Sequence, residues 1–369
     1  MEEFHYVELD FEIKLLEPLQ NLVKHGNPFV VSPSNIDSPY NLLEYIRASK
    51  FSDIELMALV DNNVLTRATS IAKGEEITGD SESQNVARLA CGIMCFFILG
   101  EFTVEPSMSI YEKASMSSHE EAASELFHFK VADHLHPQIF AELALGIRNS
   151  ASQKEIEISR DVVIQNSRPL REKNFAKTLD PWKINYLFVL KAAELWKKGH
   201  GKVEAAKEFI EWMEKDTFFN AISSIFALLF LSPSRIAKML KGINSSNIKK
   251  FRNGLKNCAW DLAYITQWSG FARDAKPETI WFLCTHDKVM KQIASTVFLQ
   301  PGVSENDAIG GLFNSYWGEK DGRYLYNIYK DTVSSIALSK EKRDPRIHQR
   351  FHEVDDMIEK LEGVLGIKT

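Results

Sequence analysis

Two short apolar runs set the strongest limit on what this chain can fold into. Residues 54–60 (IELMALV) and 279–285 (TIWFLCT) are rich in strand formers. Each stops abruptly at polar residues, the first at Asp61-Asn62-Asn63 and the second at His286-Asp287. Apolar runs of this length, bounded by turn residues, read as buried strands. A helical pattern follows each, over residues 64–72 and over residues 288–295 (KVMKQIAS). Strands that feed directly into helices imply an α/β unit with a small parallel sheet.

The remaining patterns fill in around those two strands. Residues 4–14 (FHYVELDFEIK) alternate enough for a strand, and residues 29–32 (FVVS) read as a short extended piece. Residues 39–49 read as the start and body of a helix, and residues 74–83 as a polar loop. Residues 85–102 are apolar nearly all round, the pattern of a buried helix. Pro106 suits the first position of the next helix, with Glu112 two turns inside it. From about residue 120 to 255 the pattern is almost wholly helical, with Trp196, Phe209, Trp212, Phe218, Phe226 and Phe230 at helical spacing. No fixed repeat period supports a solenoid. Near the end, Ile347, Phe351, Val354, Ile358, Leu361 and Leu365 follow a 4-3-4-3-4 spacing, the seam of a helix lying along another helix. The expected organisation is an αβ core split between residues 1–118 and 255–300. A helical insertion (119–254) and a helical C-terminal extension (301–369) complete it.

Composition bounds the class of protein. Hydrophobic residues make up 44% and charged residues 25% of the 369, which excludes a disordered or fibrous chain. A net charge of −6 excludes a globally basic coat for nucleic acid, so any such contact needs a local patch. Four cysteines without a CxxC make neither a disulfide framework nor a cysteine-based zinc site. The acidic start lacks a signal-peptide core, and the longest apolar runs (around 89–99 and 222–231) are about half of the roughly 20 residues a membrane span needs. A reducing, cytoplasmic setting without a membrane partner is expected.

Acidic residues stand where topology brings side chains together. Asp61 and Asp287 follow the two buried strands, at the carboxyl edge where open α/β sheets bind ligands. Asp261 reads as the start of a helix (LAYITQWS), and helix starts gather at the same edge. Glu112 lies in the helix after Pro106, with Glu105 as its competitor. Each also has a plain structural role. Asp287 and Asp261 are good N-caps, Asp61-Asn62-Asn63 makes a strand-to-helix turn, and Glu105 before Pro106 fits a helix cap.

Taken in order, the segments MALVDNNVL, SIYEKAS, CAWDLAYI and FLCTHDKVMKQIA resemble those of the PIN-domain-like nucleases, over roughly the 110 residues of the two αβ segments. The resemblance implies a PIN-like αβα core that carries Asp61, Glu112, Asp261 and Asp287 as catalytic, metal-holding acids. It further implies a Mg²⁺- or Mn²⁺-dependent nuclease, most often an endoribonuclease. In that scheme Asp61 bridges metals, Glu112 and Asp261 complete the shell, and Asp287 holds a second metal or orders the water. The helical stretch between Glu112 and Asp261 is far longer than a minimal family domain has.

Electrostatics leads to the same cofactor independently. Two carboxylates about 4 Å apart repel by about 4 kcal/mol at an effective dielectric near 20. Their convergence needs a divalent cation or protonation, and hard cations take Asp and Glu oxygens. An anionic substrate has a matching region, since no Asp or Glu occurs between Thr217 and Trp260. The same span holds Arg235, Lys238, Lys241, Lys249, Lys250, Arg252 and Lys256. Lys249, Lys250, Arg252 and Lys256 are the candidate phosphate contacts. An ordinary solvated helix face explains the same pattern. Trp260, Tyr264 and Trp268 have helical spacing and read as core before base-stacking groups.

Other chemistries find less support. His128, His134 and His136 around Asp133 match no zinc spacing. Gly310, Gly311 and Gly318 lack the GxxxxGK[ST] of a phosphate cradle, no GxSxG occurs, and Cys258 has no histidine partner in sequence. The alternatives to an RNA-cleaving enzyme are a non-catalytic helical interaction or scaffold protein, and a DNA-cleaving nuclease of the same broader superfamily. An inhibitory or regulatory protein partner would suit the long helical insertion.

Overall fold

The computed structural model describes residues 10–33, 38–166, 174–199, 203–234, 240–298, 304, 306–341 and 350–367. The chain forms two compact units, Met1–Thr178 with Gly270–Lys288, and Leu179–Ser269 with Val289–Thr369. The divisions fall inside the helical stretch and inside the helix that carries Asp261.

The first unit is built on a four-stranded sheet of β1 (Phe29–Val31), β2 (Glu55–Val60), β3 (Thr103–Glu105) and β4 (Thr279–Cys284), in the order β1-β4-β2-β3. The two apolar runs are its central strands. They pair in parallel, from Glu55 opposite Thr279 to Val60 opposite Cys284. β3 adds in parallel to β2, with Leu59 opposite Glu105. The sheet is mixed rather than wholly parallel, because β1 runs antiparallel to β4. Its direction is set just upstream, where α1 (Leu16–Gly26) ends at Asn27 in a left-handed conformation (φ 45°). An Asn tolerates that geometry as a helix terminator, and the chain turns back into β1.

Two local expectations need correction. The described part of residues 4–14 is not a strand. Ile13–Leu15 is a 3-10 turn leading into α1, and Leu15, Leu19 and Val23 are buried at helical spacing. Residues 4–9 lie outside the described residues. The buried helix expected over 85–102 is α4 (Ser81–Leu99), which stops at Gly100 and leaves room for β3. Three residues are too few for β3 to show a periodic signal.

Among the described residues, seven further helices pack with the sheet and α1: α2 (Leu42–Phe51), α3 (Asn62–Ala72), α4, α5 (Ser107–Met116), α6 (His119–Asp133), α7 (Pro137–Ala144) and α8 (Gln153–Asn166). Phe282 of β4 anchors an aromatic cluster. Its ring centroid lies 5.0 Å from that of Phe102, 5.5 Å from Tyr45 and 5.6 Å from Phe29, all edge to face. That arrangement suits the ring quadrupoles, and it fixes β4 against α2, β1 and the segment between α4 and β3.

The second unit is helical: α9 (Asp180–Gly199), α10 (Val203–Asp216), α11 (Ala221–Phe230), most of α12 (Ile248–Asp274) and α13 (Lys288–Ala294), then α14 (Gly311–Trp317) and α15 (Glu319–Glu341). A C-terminal helix, Val354–Leu365, packs on α9 as its spacing implies. Val354, Leu361 and Leu365 are buried, Lys183 pairs with Asp355 at 3.0 Å, and the Tyr186 hydroxyl donates to Glu362 at 2.8 Å. Ile347 lies outside the described residues. No helix among the described residues is long and apolar enough to cross a membrane.

Gly254 marks the closest backbone approach in this unit. A Cβ there would lie 1.7 Å from the Lys241 carbonyl oxygen. Gly254→Ala is expected to destabilise the chain by about 1–3 kcal/mol, the range of overpacking. A thermal melt indistinguishable from wild type would contradict that contact.

Candidate active site at the carboxyl edge of β2 and β4

Asp61 stands at the end of β2 and caps α3. Its backbone N–H donates to the Cys284 carbonyl at 3.0 Å, one last rung of the β2–β4 ladder. The strand therefore delivers the side chain to the sheet's carboxyl edge, where it is only 3% exposed. One carboxylate oxygen, Oδ1, accepts the Val64 backbone N–H at 3.0 Å, as an N-cap does. The other, Oδ2, accepts the hydroxyl of Thr285, the residue that follows β4.

Thr285 links the two aspartates. Fully buried, it donates from Oγ1 to Asp61 and accepts the Asp287 backbone N–H at 3.0 Å. One hydroxyl thus ties Asp61 to the start of the turn that carries the half-buried Asp287 into α13. Burial pushes the Asp61 carboxyl above the usual carboxylate range. The bonds from Thr285 and Val64, the nearby His286 and the Asn63 backbone N–H oppose that rise.

The second acid arrives on α5. Ser109 is fully buried and its hydroxyl donates to the Val60 carbonyl at 2.8 Å, the residue before Asp61. Glu112, also buried, follows three residues later on the same helix face, about 4.5 Å along the axis. Glu105 ends β3, and its carboxylate accepts the Ser107 N–H at 2.8 Å, the capping role the sequence allowed. Asp61, Glu112, Glu105 and Asp287 all belong to the first unit.

Asp261 does not open a helix. It lies well inside α12, which runs unbroken from Ile248 to Asp274, and it belongs to the second unit. Among the described residues no three or more His, Cys, Asp or Glu side chains form a group arranged to hold a metal ion.

The basic candidates divide in two. Lys249 and Lys250 are exposed in the first turn of α12, where the Asn247 side chain caps the Lys250 N–H at 3.1 Å. Arg252 and Lys256 are half-buried and face other groups of their own unit. Burial and neighbouring Arg252 hold the Lys256 ammonium below its usual range, while Glu362 works the other way. Arg235 and Lys238 lie outside the described residues. Trp260, Tyr264 and Trp268 are buried, so they serve as core. The histidines have local roles: His128 and His134 bond the carbonyls of Ser124 and Lys130, and His136 caps α7.

Ser109 carried no signal in the sequence beyond a small hydroxyl one turn before Glu112. Thr285 stood inside the quoted T-H-D, but its bond to Asp61 was not legible. No family model, curated protein or solved structure matches the chain.

A pH dependence follows from the buried pair. The folded pKa of Asp61 lies above the unfolded value near 3.8, so the native state binds more protons between the two. Stability from this group is then lost as pH rises through that window. Thr285→Val removes a donor to the ionised form and widens the window upward. In metal-free buffer, the variant should lose about 1–3 kcal/mol relative to wild type at pH 7, and less at pH 4. Equal losses at both pH values in urea titrations would contradict the pairing.

Proposed function

We propose that the chain is a divalent-metal-dependent nuclease with a PIN-like core, cleaving RNA phosphodiester bonds internally, with Asp61 at its centre. The carrying observation is the Thr285 hydroxyl, held between the buried Asp61 carboxylate and the Asp287 N–H at the carboxyl edge of two adjacent parallel strands. The Ser109 bond to Val60 supports Glu112 as the second acid, because it fastens that helix face to the same edge. The sequence resemblance also names Asp261, which lies in the second unit.

The residues suit Mg²⁺ or Mn²⁺. Asp61 is a desolvated carboxylate, and its two oxygens keep acceptor capacity beyond the bonds from Thr285, Val64 and Asn63. Mg²⁺ is commonly held through one or two carboxylates while retaining waters, so a ready-made cage of three side chains is not required. Asp61 and Asp287, with Glu112, would hold the ion. A divalent cation there supplies charge neutralisation for a phosphodiester and acidifies a water molecule. Thr285 positions the Asp61 carboxylate, and Asp287 orders the attacking water. Exposed Lys249 and Lys250 suit phosphate contacts of the second unit better than half-buried Arg252 and Lys256. A protein partner that restrains cleavage fits the extensive helical surface.

Mn²⁺ should raise the melting temperature of the wild-type chain and leave Asp61→Asn unmoved. Cleavage of single-stranded RNA in Mn²⁺ should fall about 100-fold or more in Asp61→Asn and Asp287→Asn, equivalent to losing about 2.7 kcal/mol of barrier lowering. Undiminished cleavage by both variants would sink this reading. No metal-dependent stabilisation and no cleavage of RNA would favour the non-catalytic interaction protein, and cleavage of DNA alone the DNA-acting relative.

A further inference from the structure

The C-terminal helix carries acids onto cations of the second unit. Residues 353–362 hold Glu353, Asp355, Asp356, Glu359 and Glu362, with Lys360 as the one base among them. Asp355 pairs with Lys183 of α9 at 3.0 Å. Glu362 follows seven residues later, two turns along the same face, and accepts the Tyr186 hydroxyl at 2.8 Å. Its charge also acts on the Lys256 ammonium of α12, and Arg252 reaches the Tyr186 hydroxyl beside it. No acid occurs from residue 218 to 260, so the upstream turns of α12 supply neither Arg252 nor Lys256 with a counter-charge.

The face under the helix is rigid and incompletely matched. Trp182 stacks on Tyr186 with ring centroids 4.8 Å apart, and its indole N–H donates to the Lys256 carbonyl at 3.4 Å. These contacts fix α9 and α12 to each other beneath the cations. Lys183, Arg252 and Lys256 are three cations on the two carboxylates of Asp355 and Glu362. The Arg252 Nε is buried without a hydrogen-bond partner among the described residues. A face built only to seat a helix needs matched charge and no buried guanidinium nitrogen left over. A polyanion would use what the carboxylates leave unmatched, because phosphate oxygens make the same charge-assisted bonds to Lys and Arg as carboxylates do.

The start of the helix is tethered independently of these two acids. Arg350 donates to the Thr217 carbonyl at 2.6 Å and the Glu214 carbonyl at 3.3 Å, and Phe351 stacks on Phe218 at 4.2 Å. The far half docks through Leu361, Leu365 and Glu362. It also contains Gly363, which is exposed and has open space where a Cβ would stand. A glycine inside a helix weakens it, and a helix of 12 residues is marginal without docking.

We propose that the C-terminal helix is a built-in competitor for nucleic acid. Asp355 and Glu362 occupy Lys183, Arg252 and Lys256, and a single strand takes those cations with its phosphates when the far half of the helix swings off. The proposal rests on the reading of the chain as one that acts on nucleic acid, and not on the metal.

Fluorescence anisotropy of a short labelled oligouridylate, with the full chain in EDTA, tests this apart from cleavage. Glu362→Gln keeps an acceptor for Tyr186 but loses the charge, and it should tighten binding about tenfold. Adding Arg252→Gln should remove the gain. Gly363→Ala firms the helix and should weaken binding about threefold. Glu211→Gln, exposed on α10, changes net charge equally and should bind as wild type does. The expected gain without any RNA cleavage in Mn²⁺ would keep the competitor and reject the nuclease. Binding unaltered by Glu362→Gln, a gain matched by Glu211→Gln, or no binding by any form would overturn the proposal. Cleavage retained alongside such a result would leave the nuclease reading standing.

Discussion

A carboxylate out of contact with water has to be held by other groups, and in this protein Asp61 is the case on which the site's organisation depends. The β2–β4 pairing forces it inward, because the same ladder that buries Val60 and Cys284 continues one rung to the Asp61 N–H. Three donors then share its oxygens, the backbone N–H groups of Asn63 and Val64 in α3 and the Thr285 hydroxyl from the adjacent strand's end. None of them carries charge, and burial pushes the carboxyl up despite them and the nearby His286. A buried carboxylate held mainly by uncharged donors is the setting that the proposed cation would enter.

The helices around this edge do more than cover the sheet. α5 is fastened by Ser109 to the very end of β2, which fixes the face that carries Glu112. The aromatic cluster centred on Phe282 holds β4 to Tyr45 of α2 and Phe29 of β1. Both contacts hold the strand ends in place, which the proposed chemistry would need, since displacements of even 1 Å between catalytic groups are costly. The second unit is organised on different lines, with long helices, a C-terminal helix along α9, and exposed Lys249 and Lys250 at the start of α12.

What the sequence disclosed follows from how local each cause is. β2 and β4 were legible because an apolar run ended by Asp61-Asn62-Asn63 or His286-Asp287 has one good reading. The direction of β1 was not, because it depends on one left-handed residue, Asn27. Asp261 was misread as a helix start for an instructive reason. Upstream of it, Gly254 and the asparagines 253 and 257 resemble a break, and aspartate followed by LAYITQWS looks like a cap. Gly254 is instead a point of close packing against Lys241, and the helix passes through it. Counting charges likewise treated Lys249, Lys250, Arg252 and Lys256 as one group. Burial beside Arg252 distinguishes Lys256 from the exposed pair, which a count of charges does not show.

The proposed chemistry requires the Asp61 edge to take a divalent cation. Anomalous diffraction from crystals soaked in Mn²⁺ reads this directly, without substrate or assay. A peak about 2.1 Å from an Asp61 carboxylate oxygen, the distance expected for a small octahedral cation, is the predicted result. Density at that edge without an anomalous peak, with Asp61 still bonded to Thr285 and Val64 alone, would contradict it.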